Sequence, residues 1–290
     1  MILRVTVVTV PAADAELGAD RLMQAGAFAV EERQIHDGRV ELRAVLADSH
    51  TAARDRLGEL PRQWSVTSET LDDTPAATWR EYVAPVRIAP QLVVRPAWLP
   101  PVGEEGVTEV AIEPGATFGL GDHPTTRLCA AAVWRMRPPP ARMLDVGTGS
   151  GVLAIVAVQA GAGHATATDI VDVSPAVVAA NAARNGVADR ITPSTTPLEQ
   201  IDGVFDLVVA NILAPTLIAM AHDLVRLTAP GGTLIVSGLL DGRYDHVVAA
   251  LSPMEMIGVD RLEGWVALVL HHPTSGEPAD RSLRCRPLVE

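Results

Sequence analysis

The first seventy residues alternate between short β-branched runs and polar segments with helical features. LRVTVVTV has the composition of a strand, and residues 14–25 begin at an aspartate that suits the N-terminus of a helix. FAVEERQI and RVELRAVLA are joined through the turn residues Asp37-Gly38, a dipeptide typical of a tight hairpin turn. A helical stretch, SHTAARDRLGEL, and a last strand, WSVTSETL, complete a β-α-β-β-α-β order. This order predicts a small ferredoxin-like α+β domain over residues 1–71.

A different pattern begins near residue 141, where apolar strands and helical segments alternate regularly. The predicted strands are RMLDV, HATATD, RITPST, FDLVVAN and GTLIVSG, and the predicted helices span residues 150–160, 174–185, 215–228 and 241–251. Such alternation indicates a parallel, doubly wound α/β sheet with helices on both faces. Two adjacent apolar runs at the end, 254–260 and 264–271, predict an antiparallel pair of strands.

Changes in composition divide the chain into four parts. After the α+β domain, a polar, proline-containing segment opens a linker region expected over residues 72–99. The α/β domain is expected over residues 100–272, and the proline-, serine- and arginine-rich end, 273–290, is expected to be a loose tail. Because the N-terminal domain carries no concentration of catalytic residue types, it is expected to serve in recognition.

The composition narrows the class of protein. With 48% hydrophobic residues, a chain of 290 residues can bury a sizeable core. A net charge of −12 argues against a general nucleic-acid-binding protein and suits a basic protein partner. No segment has the features of a leader peptide or of a membrane span, so a cytoplasmic protein is expected. Two cysteines, Cys129 and Cys285, are too few for a structural metal site, and all 23 basic residues are arginine.

A glycine-rich loop follows the predicted strand RMLDV. It holds Gly147, Gly149 and Gly151 at alternate positions, and such a loop lets a ligand approach the backbone closely at the end of a strand. The dinucleotide pattern G-x-G-x-x-G would need a glycine at Val152, and a phosphate-binding P-loop would need a lysine, which the chain lacks. The remaining pattern, D-x-G-x-G-x-G, favours a ligand without a pyrophosphate.

Two polar residues end the neighbouring predicted strands. Asp169 lies 22 residues after Gly147, where a carboxylate can accept hydrogen bonds from both hydroxyls of a ribose. Asn211 ends FDLVVAN, and its amide offers a donor and an acceptor beside a sulfonium. Together with the glycine loop, these residues predict S-adenosylmethionine as the cofactor. Methyltransferases of planar amides or bases often carry Asn-Pro-Pro-aromatic here; this chain continues with Ile212-Leu213, so a flexible amine is the expected substrate.

Several longer stretches resemble the PrmA family, the class I S-adenosylmethionine-dependent methyltransferases of ribosomal protein L11. They are EPGATFGLGDHPTTRLC, MLDVGTGSGVLAI, ATDIVDVSPAVVAANAARNGV, FDLVVANILAPTLI and PGGTLIVSGLL, and the likeness runs from Trp79 to about Leu270. The resemblance implies a Rossmann-like methyltransferase domain. It also implies that the substrate is a basic large-subunit ribosomal protein, methylated on lysine side chains, on its N-terminal amine, or on both.

The resemblance implies which residues form the site. Four residues correspond to cofactor-binding positions of the family: Thr126, Gly147, Asp169 and Asn211. Three more are further candidates for cofactor contacts: Gly149, Gly151 and Phe118. For catalysis itself, Asn211 and His123 are candidates as positioning residues rather than as a strong base.

The segment His123-Pro124-Thr125-Thr126 is expected to open a helix whose N-terminal amides and hydroxyls face the cofactor. The positive end of that helix favours a carboxylate such as that of a methionyl group. Three residues depart from the family's usual pattern: Leu120, Asp122 and Val171. Of these, Leu120 and Asp122 lie beside the expected substrate entrance.

Two other hypotheses are consistent with part of the sequence. A methyltransferase of a different protein or of a small molecule would keep the α/β domain and give residues 1–71 another role. A nucleotide-dependent oxidoreductase or a non-catalytic binding module is the hypothesis from another class. Val152 argues against the oxidoreductase, and the presence of Asp169 and Asn211 beside the glycine loop argues against an inactive module.

Overall fold

The computed structural model describes residues 3–25, 27, 30–35, 37–44, 46, 50–71, 83–115, 117 and 119–274. The chain divides into two compact units, Met1–Val83 and Ala84–Glu290. The predicted linker region 72–99 agrees with this division only in part. Its second half belongs to the second unit, to which it contributes two strands. Except for residues 273 and 274, the predicted tail lies outside the described residues.

The first unit has the predicted ferredoxin-like arrangement. Its elements are β1 (Leu3–Pro11), α1 (Ala15–Gln24), β2 (Glu31–Gln34), β3 (Arg39–Ala44), α2 (His50–Leu57) and β4 (Ser65–Leu71). The strands form one sheet in the order β2-β3-β1-β4, and every neighbouring pair is antiparallel. Asp37 and Gly38 both have left-handed backbone angles, φ 69° and 68°, which confirms the predicted turn between β2 and β3.

One face of this small sheet carries its own core. Alternate residues of β3 are buried, as expected for a strand with one face covered, and Val8 and Val10 of β1 are buried beside them. Leu22 of α1 packs into the same cluster. The indole N–H of Trp64 donates to the carboxylate of Asp14 at 2.9 Å, so the polar group of this buried side chain has a hydrogen-bond partner.

The second unit contains a small sheet and a large one. The small sheet consists of β5 (Val86–Ala89), β6 (Leu92–Pro96) and β7 (Thr108–Ile112). The large sheet has seven strands, β8 (Arg142–Val146), β9 (His164–Thr168), β10 (Ile191–Ser194), β11 (Phe205–Asn211), β12 (Thr228–Leu240), β13 (Glu255–Leu262) and β14 (Trp265–His271). Their order is β10-β9-β8-β11-β12-β14-β13. The first five are parallel, and β14 is antiparallel to both β12 and β13, as predicted for the terminal pair.

Helices cover both faces of the large sheet. They are α3 (Pro124–Arg135), α4 (Val152–Gln159), α5 (Ser174–Arg184), α6 (Ala214–Ala219), α7 (Ala221–Leu227) and α8 (Asp245–Ala250). One apolar core packs α3, α4 and α5 against one face, and a second packs α6, α7 and α8 against the other. The predicted doubly wound α/β fold is therefore confirmed.

The single helix predicted over residues 215–228 was wrong in one respect, because it is divided into α6 and α7 at Met220. Leu217, Ala221 and Leu224 are all buried, so the apolar spacing continues across the break. For that reason the periodicity could not reveal it. The helix predicted over 241–251 is also shorter, since α8 begins only at Asp245.

Candidate active site

The ends of three parallel strands meet at the point where the strand order reverses. Strand β8 pairs with β9 on one side and β11 on the other, with Val146 opposite both Thr168 and Ala210. The next residues along the three strands are Gly147, Asp169 and Asn211. Because parallel strands lie about 4.8 Å apart, these residues emerge side by side at one edge of the sheet. Ligands of open α/β sheets bind at such a reversal point.

The glycines of the loop after β8 are required by its geometry. Gly147, Gly149 and Gly151 have φ values of 66°, 54° and 83°, a region that other residues rarely adopt. A Cβ on Gly147 would lie 2.9 Å from Cδ1 of Ile212, which follows β11. The main-chain N–H groups of Gly147 and Thr148 both donate to the carbonyl of Thr168, at 2.9 and 3.1 Å. The loop is therefore fixed against the ends of both neighbouring strands.

The carboxylate of Asp169 is oriented by main-chain donors. Its Oδ2 accepts a hydrogen bond from the N–H of Gly149 at 2.8 Å, and its Oδ1 accepts one from the N–H of Val171 at 3.0 Å. Each carboxylate oxygen has a second lone pair, so both can also accept from a pair of ribose hydroxyls. The contact from residue 171 is made by its backbone, so it does not depend on the valine side chain that departs from the family pattern.

Asp145, at the base of the glycine loop, has a structural role that was not predicted from the sequence. Its side chain is 1% exposed, and Oδ2 accepts from the Thr148 hydroxyl at 2.6 Å and from the N–H of Ala154 at 3.2 Å. Its Oδ1 has no hydrogen-bond partner within the described part of the chain. Burial raises the pKa of this carboxyl to about 7, and the negative charge of Asp169 acts in the same direction. The group therefore takes up a proton near neutral pH.

Helix α3 brings a hydroxyl to the end of β11. The Nδ2 of Asn211 donates to Oγ1 of Thr126 at 3.3 Å, and the threonine is only 2% exposed. Thr126 lies in the first turn of α3, which starts at the predicted proline, Pro124. Thus two predicted site residues that are 85 positions apart in the sequence are in direct contact.

His123 lies at the N-terminal cap of α3. Its Nδ1 accepts a hydrogen bond from the N–H of Thr125 at 3.3 Å and lies 2.7 Å from the Thr125 hydroxyl. The ring also packs edge-on against Trp265, with 5.2 Å between the ring centroids. Burial lowers the pKa of His123, while the charges of Asp122 and Glu263 oppose that shift. These contacts are those of a residue that fixes the start of a helix.

Three further predicted positions lie in or near the segment that precedes α3: Phe118, Leu120 and Asp122. Phe118 lies outside the described residues. The carbonyl of the next residue, Gly119, accepts from the hydroxyl of Ser150 in the glycine loop at 2.5 Å, so this segment lies against the loop. Leu120 packs against the apolar core rather than projecting freely, and Asp122 is exposed. No sequence signal identifies Ser150, because a serine between two glycines has no distinctive pattern.

Together, the strand order, the glycine loop after the first strand of the large sheet and the acid after the second define a class I methyltransferase. The left-handed backbone of Gly147 disfavours any side chain there, and Asp169, Thr126 and Asn211 offer polar groups at the same edge of the sheet, which fits S-adenosylmethionine as the cofactor. The family model for ribosomal protein L11 methyltransferase (PrmA) matches residues 5–273. The chain belongs to this family.

Individual relatives agree with the family match. A ribosomal protein L11 methyltransferase of Geobacter sp. (strain M21) is 42% identical over 204 residues, which cover 68% of this chain and 67% of the relative. The protein of the same name from Pelotomaculum thermopropionicum is 37% identical over 254 residues, covering 83% of this chain and 82% of the relative. A crystal structure of ribosomal protein L11 methylase from Lactobacillus delbrueckii subsp. bulgaricus is 32% identical, covers 66% of this chain and all of that one, and superposes with a TM-score of 0.61.

Among the helices of the described residues, none combines the length and the apolar composition that crossing a bilayer requires.

Proposed function

We propose that this protein methylates amine nitrogens of a basic large-subunit ribosomal protein, most directly L11, in the cytoplasm. The targets are lysine side chains, the N-terminal amine, or both. The names of its relatives support the substrate, since they are called ribosomal protein L11 methyltransferases at about 40% identity. The net charge of −12 supports a basic partner, because opposite net charge speeds association.

The observation that carries the proposal is the contact between Asn211 and Thr126. The hydroxyl of Thr126 holds the Asn211 side chain through Nδ2, which leaves the amide oxygen as an acceptor. After Asn211 the chain continues with Ile212, whose side chain packs against Gly147, rather than with a proline and an aromatic residue that would form a flat slot. An acceptor without such a slot suits the N–H groups of a flexible amine.

S-adenosylmethionine, when bound, supplies an electrophilic methyl group on a sulfonium. We assign its binding to Thr126, Gly147, Asp169 and Asn211, with Gly149 and Gly151 shaping the loop. Asp169 accepts from the ribose hydroxyls, and Asn211 orients the amine. A lysine with the usual pKa of about 10.4 is neutral in about one molecule in a few thousand at pH 7, and exclusion of water lowers that pKa. Alignment of the neutral amine by Asn211 therefore suffices, without a strong base.

We assign the parts of the chain to different tasks. The N-terminal domain, 1–71, recognises the ribosomal protein, and the methyltransferase domain, 100–272, carries out the transfer. Support comes from the polar residues of the site, which all belong to the second unit, while the first unit has a separate core.

The test is mass spectrometry of purified L11 after incubation with the enzyme and methyl-labelled S-adenosylmethionine. The proposal expects mass increases in steps of one methyl group, located by peptide mapping on lysines or on the N-terminal amine. The Asp169→Ala variant serves as the matched control and should leave L11 largely unmodified. If wild-type enzyme binds the cofactor but adds no methyl to L11, the substrate assignment is wrong and a different acceptor must be sought.

A further inference from the structure

Asn181 of α5 is a buried residue whose side chain uses its full hydrogen-bonding capacity. It is 0% exposed. Its Nδ2 donates to the carbonyl of Glu113 at 3.0 Å and to the carbonyl of Ser150 at 2.9 Å. Its Oδ1 accepts from the N–H of Glu113 at 3.0 Å and from Nη1 of Arg184 at 2.6 Å. One side chain thus joins the segment after β7 to the glycine loop.

Asn185, one helical turn later, also makes a pair of hydrogen bonds to the backbone of one residue, but that residue lies within β7. Its Oδ1 accepts from the N–H of Ala111 and its Nδ2 donates to the carbonyl of Ala111, both at 2.8 Å. Ala111 and Glu113 are alternate residues, so the two asparagines pair with β7 and its extension as a neighbouring strand would. The Asn185 amide also donates to the carbonyl of Asn181, whereas Asn181 reaches Ser150.

Helix α5 holds two consecutive carbonyl groups of the glycine loop. The hydroxyl of Ser174, at the start of α5, donates to the carbonyl of Gly149 at 2.8 Å, and Asn181 binds the carbonyl of Ser150. In a trans peptide the carbonyl and the following N–H point in opposite directions, so this arrangement turns the N–H of Ser150 away from α5. The N–H of Gly149 is held in turn by Asp169. The loop is therefore fixed from both sides.

Ser150 extends this connection to the segment that precedes α3. Its hydroxyl donates to the carbonyl of Gly119, and a Cβ on Gly119 would lie 3.0 Å from the Ser150 hydroxyl oxygen, so the Ser150 side chain is in close contact with the Gly119 backbone. Ser150 is 0% exposed and stands between two glycines with left-handed backbone angles. Without its bonds, the loop would have several backbone conformations available at Gly149 and Gly151.

We propose that Asn181 and Ser150 are positioning residues for S-adenosylmethionine: they set the conformation of the glycine loop before the cofactor binds. The inference rests on the proposed placement of the cofactor on this loop. An unrestrained loop would have to be ordered on binding, and that cost appears as weaker affinity. The cofactor contacts of Gly147 and Asp169 are thereby made dependent on a helix residue that does not itself reach the ligand.

The experiment compares Asn181→Ala with Asn185→Ala in the full-length chain. Both variants lose the paired bonds to β7 or its extension, but only the first releases the carbonyl of Ser150. Binding of S-adenosylhomocysteine is measured by titration calorimetry, and thermal unfolding is measured without ligand. We expect both variants to lose thermal stability, while the Kd rises about tenfold for Asn181→Ala and less than about threefold for Asn185→Ala. Equal losses of affinity in the two variants, or an unchanged Kd in Asn181→Ala, would overturn the inference.

If Asn181→Ala does not fold, Ser150→Ala and Ser174→Ala replace it, since each removes one hydroxyl from the same connection. Each should raise the Kd for S-adenosylhomocysteine by about threefold or more. Wild-type affinity in both variants would overturn the inference. Failure of the proposed function is a separate result: wild-type protein would then bind S-adenosylhomocysteine but leave L11 unmodified. If wild-type protein does not bind S-adenosylhomocysteine, both the inference and the placement of the cofactor are wrong.

Discussion

The N–H of Gly149 donates a hydrogen bond to Oδ2 of Asp169 at 2.8 Å, which joins the two most recognisable sequence features of the site. The aspartate that we assign to ribose binding therefore also holds the glycine loop. A substitution at Asp169 removes a ligand contact and a loop restraint together, so its effect should exceed that of one lost hydrogen bond.

Asp169→Ala should weaken S-adenosylmethionine binding by about 1.5–3 kcal/mol, because a charge-assisted acceptor and a loop restraint are lost. Titration calorimetry measures the change. Asp172→Ala is the matched control, since Asp172 is an exposed acid three residues later, and its Kd should stay within about twofold of the wild-type value. Unchanged affinity in Asp169→Ala would remove this residue from the site.

NAD should not bind; micromolar affinity for NAD would support the oxidoreductase hypothesis.

The Asp145 carboxyl should make stability depend on pH. Its pKa is about 7 in the folded protein, well above that of an ordinary aspartate, so the folded state binds the proton more tightly than the unfolded state does. This contribution to stability is complete below the pKa of an ordinary aspartate, about 3.9, decreases as the pH rises from there to about 7, and changes little at higher pH. Urea unfolding of wild-type protein and Asp145→Asn at about pH 5, 6.5 and 8 checks it. Wild-type protein should lose stability relative to the variant as the pH rises; parallel pH profiles would contradict the assignment.

The contact between Thr126 and Asn211 should matter for turnover. Thr126→Val keeps the shape but removes the acceptor for Nδ2 of Asn211, and we expect kcat on L11 to fall about tenfold. Asn211→Ala should have a larger effect. The double variant should be no slower than Asn211→Ala, because the two residues act through one bond. Strictly additive losses would show that the hydroxyl acts independently of the amide.

Removal of residues 1–71 should separate cofactor binding from substrate recognition. The polar residues assigned to the cofactor belong to the second unit, which has its own two cores, so affinity for S-adenosylhomocysteine should change little. Turnover on L11 should collapse because the amine is no longer presented to the site. Methylation of L11 by the shortened protein at the full rate would refute a docking role for the N-terminal domain.

The lack of lysine should protect the protein from its own activity. The sequence contains no lysine, so long incubation with S-adenosylmethionine alone should add no methyl to a side-chain nitrogen. Asp122→Lys introduces an amine one residue before His123, at the proposed entrance, and should be methylated slowly, because only a small fraction of an exposed lysine is neutral. Asp122→Arg is the matched control and should gain nothing. Intact-mass measurement decides; if the lysine variant gains no methyl over many turnovers, this segment does not face the methyl group.

The sequence by itself determined the parallel sheet, the antiparallel terminal strands and the three strand ends that carry Gly147, Asp169 and Asn211. These follow from local periods and from turn residues such as Asp37-Gly38, whose effects act within a few positions of the chain. The glycine pattern was informative because left-handed backbone angles exclude most other residues.

Only the tertiary structure decided how those parts restrain one another. The break at Met220 leaves the apolar spacing intact, so no local pattern marks it. The bonds from Asn181 to Glu113 and Ser150 span 68 and 31 positions, and an asparagine in a helix has the same local signature whether it is exposed or buried. The raised pKa of Asp145 likewise depends on burial under elements that are distant in sequence. The periodicity of hydrophobic residues predicts which face of a helix or strand is buried. The partners of a buried polar side chain, in contrast, depend on which elements pack against that face in the folded protein.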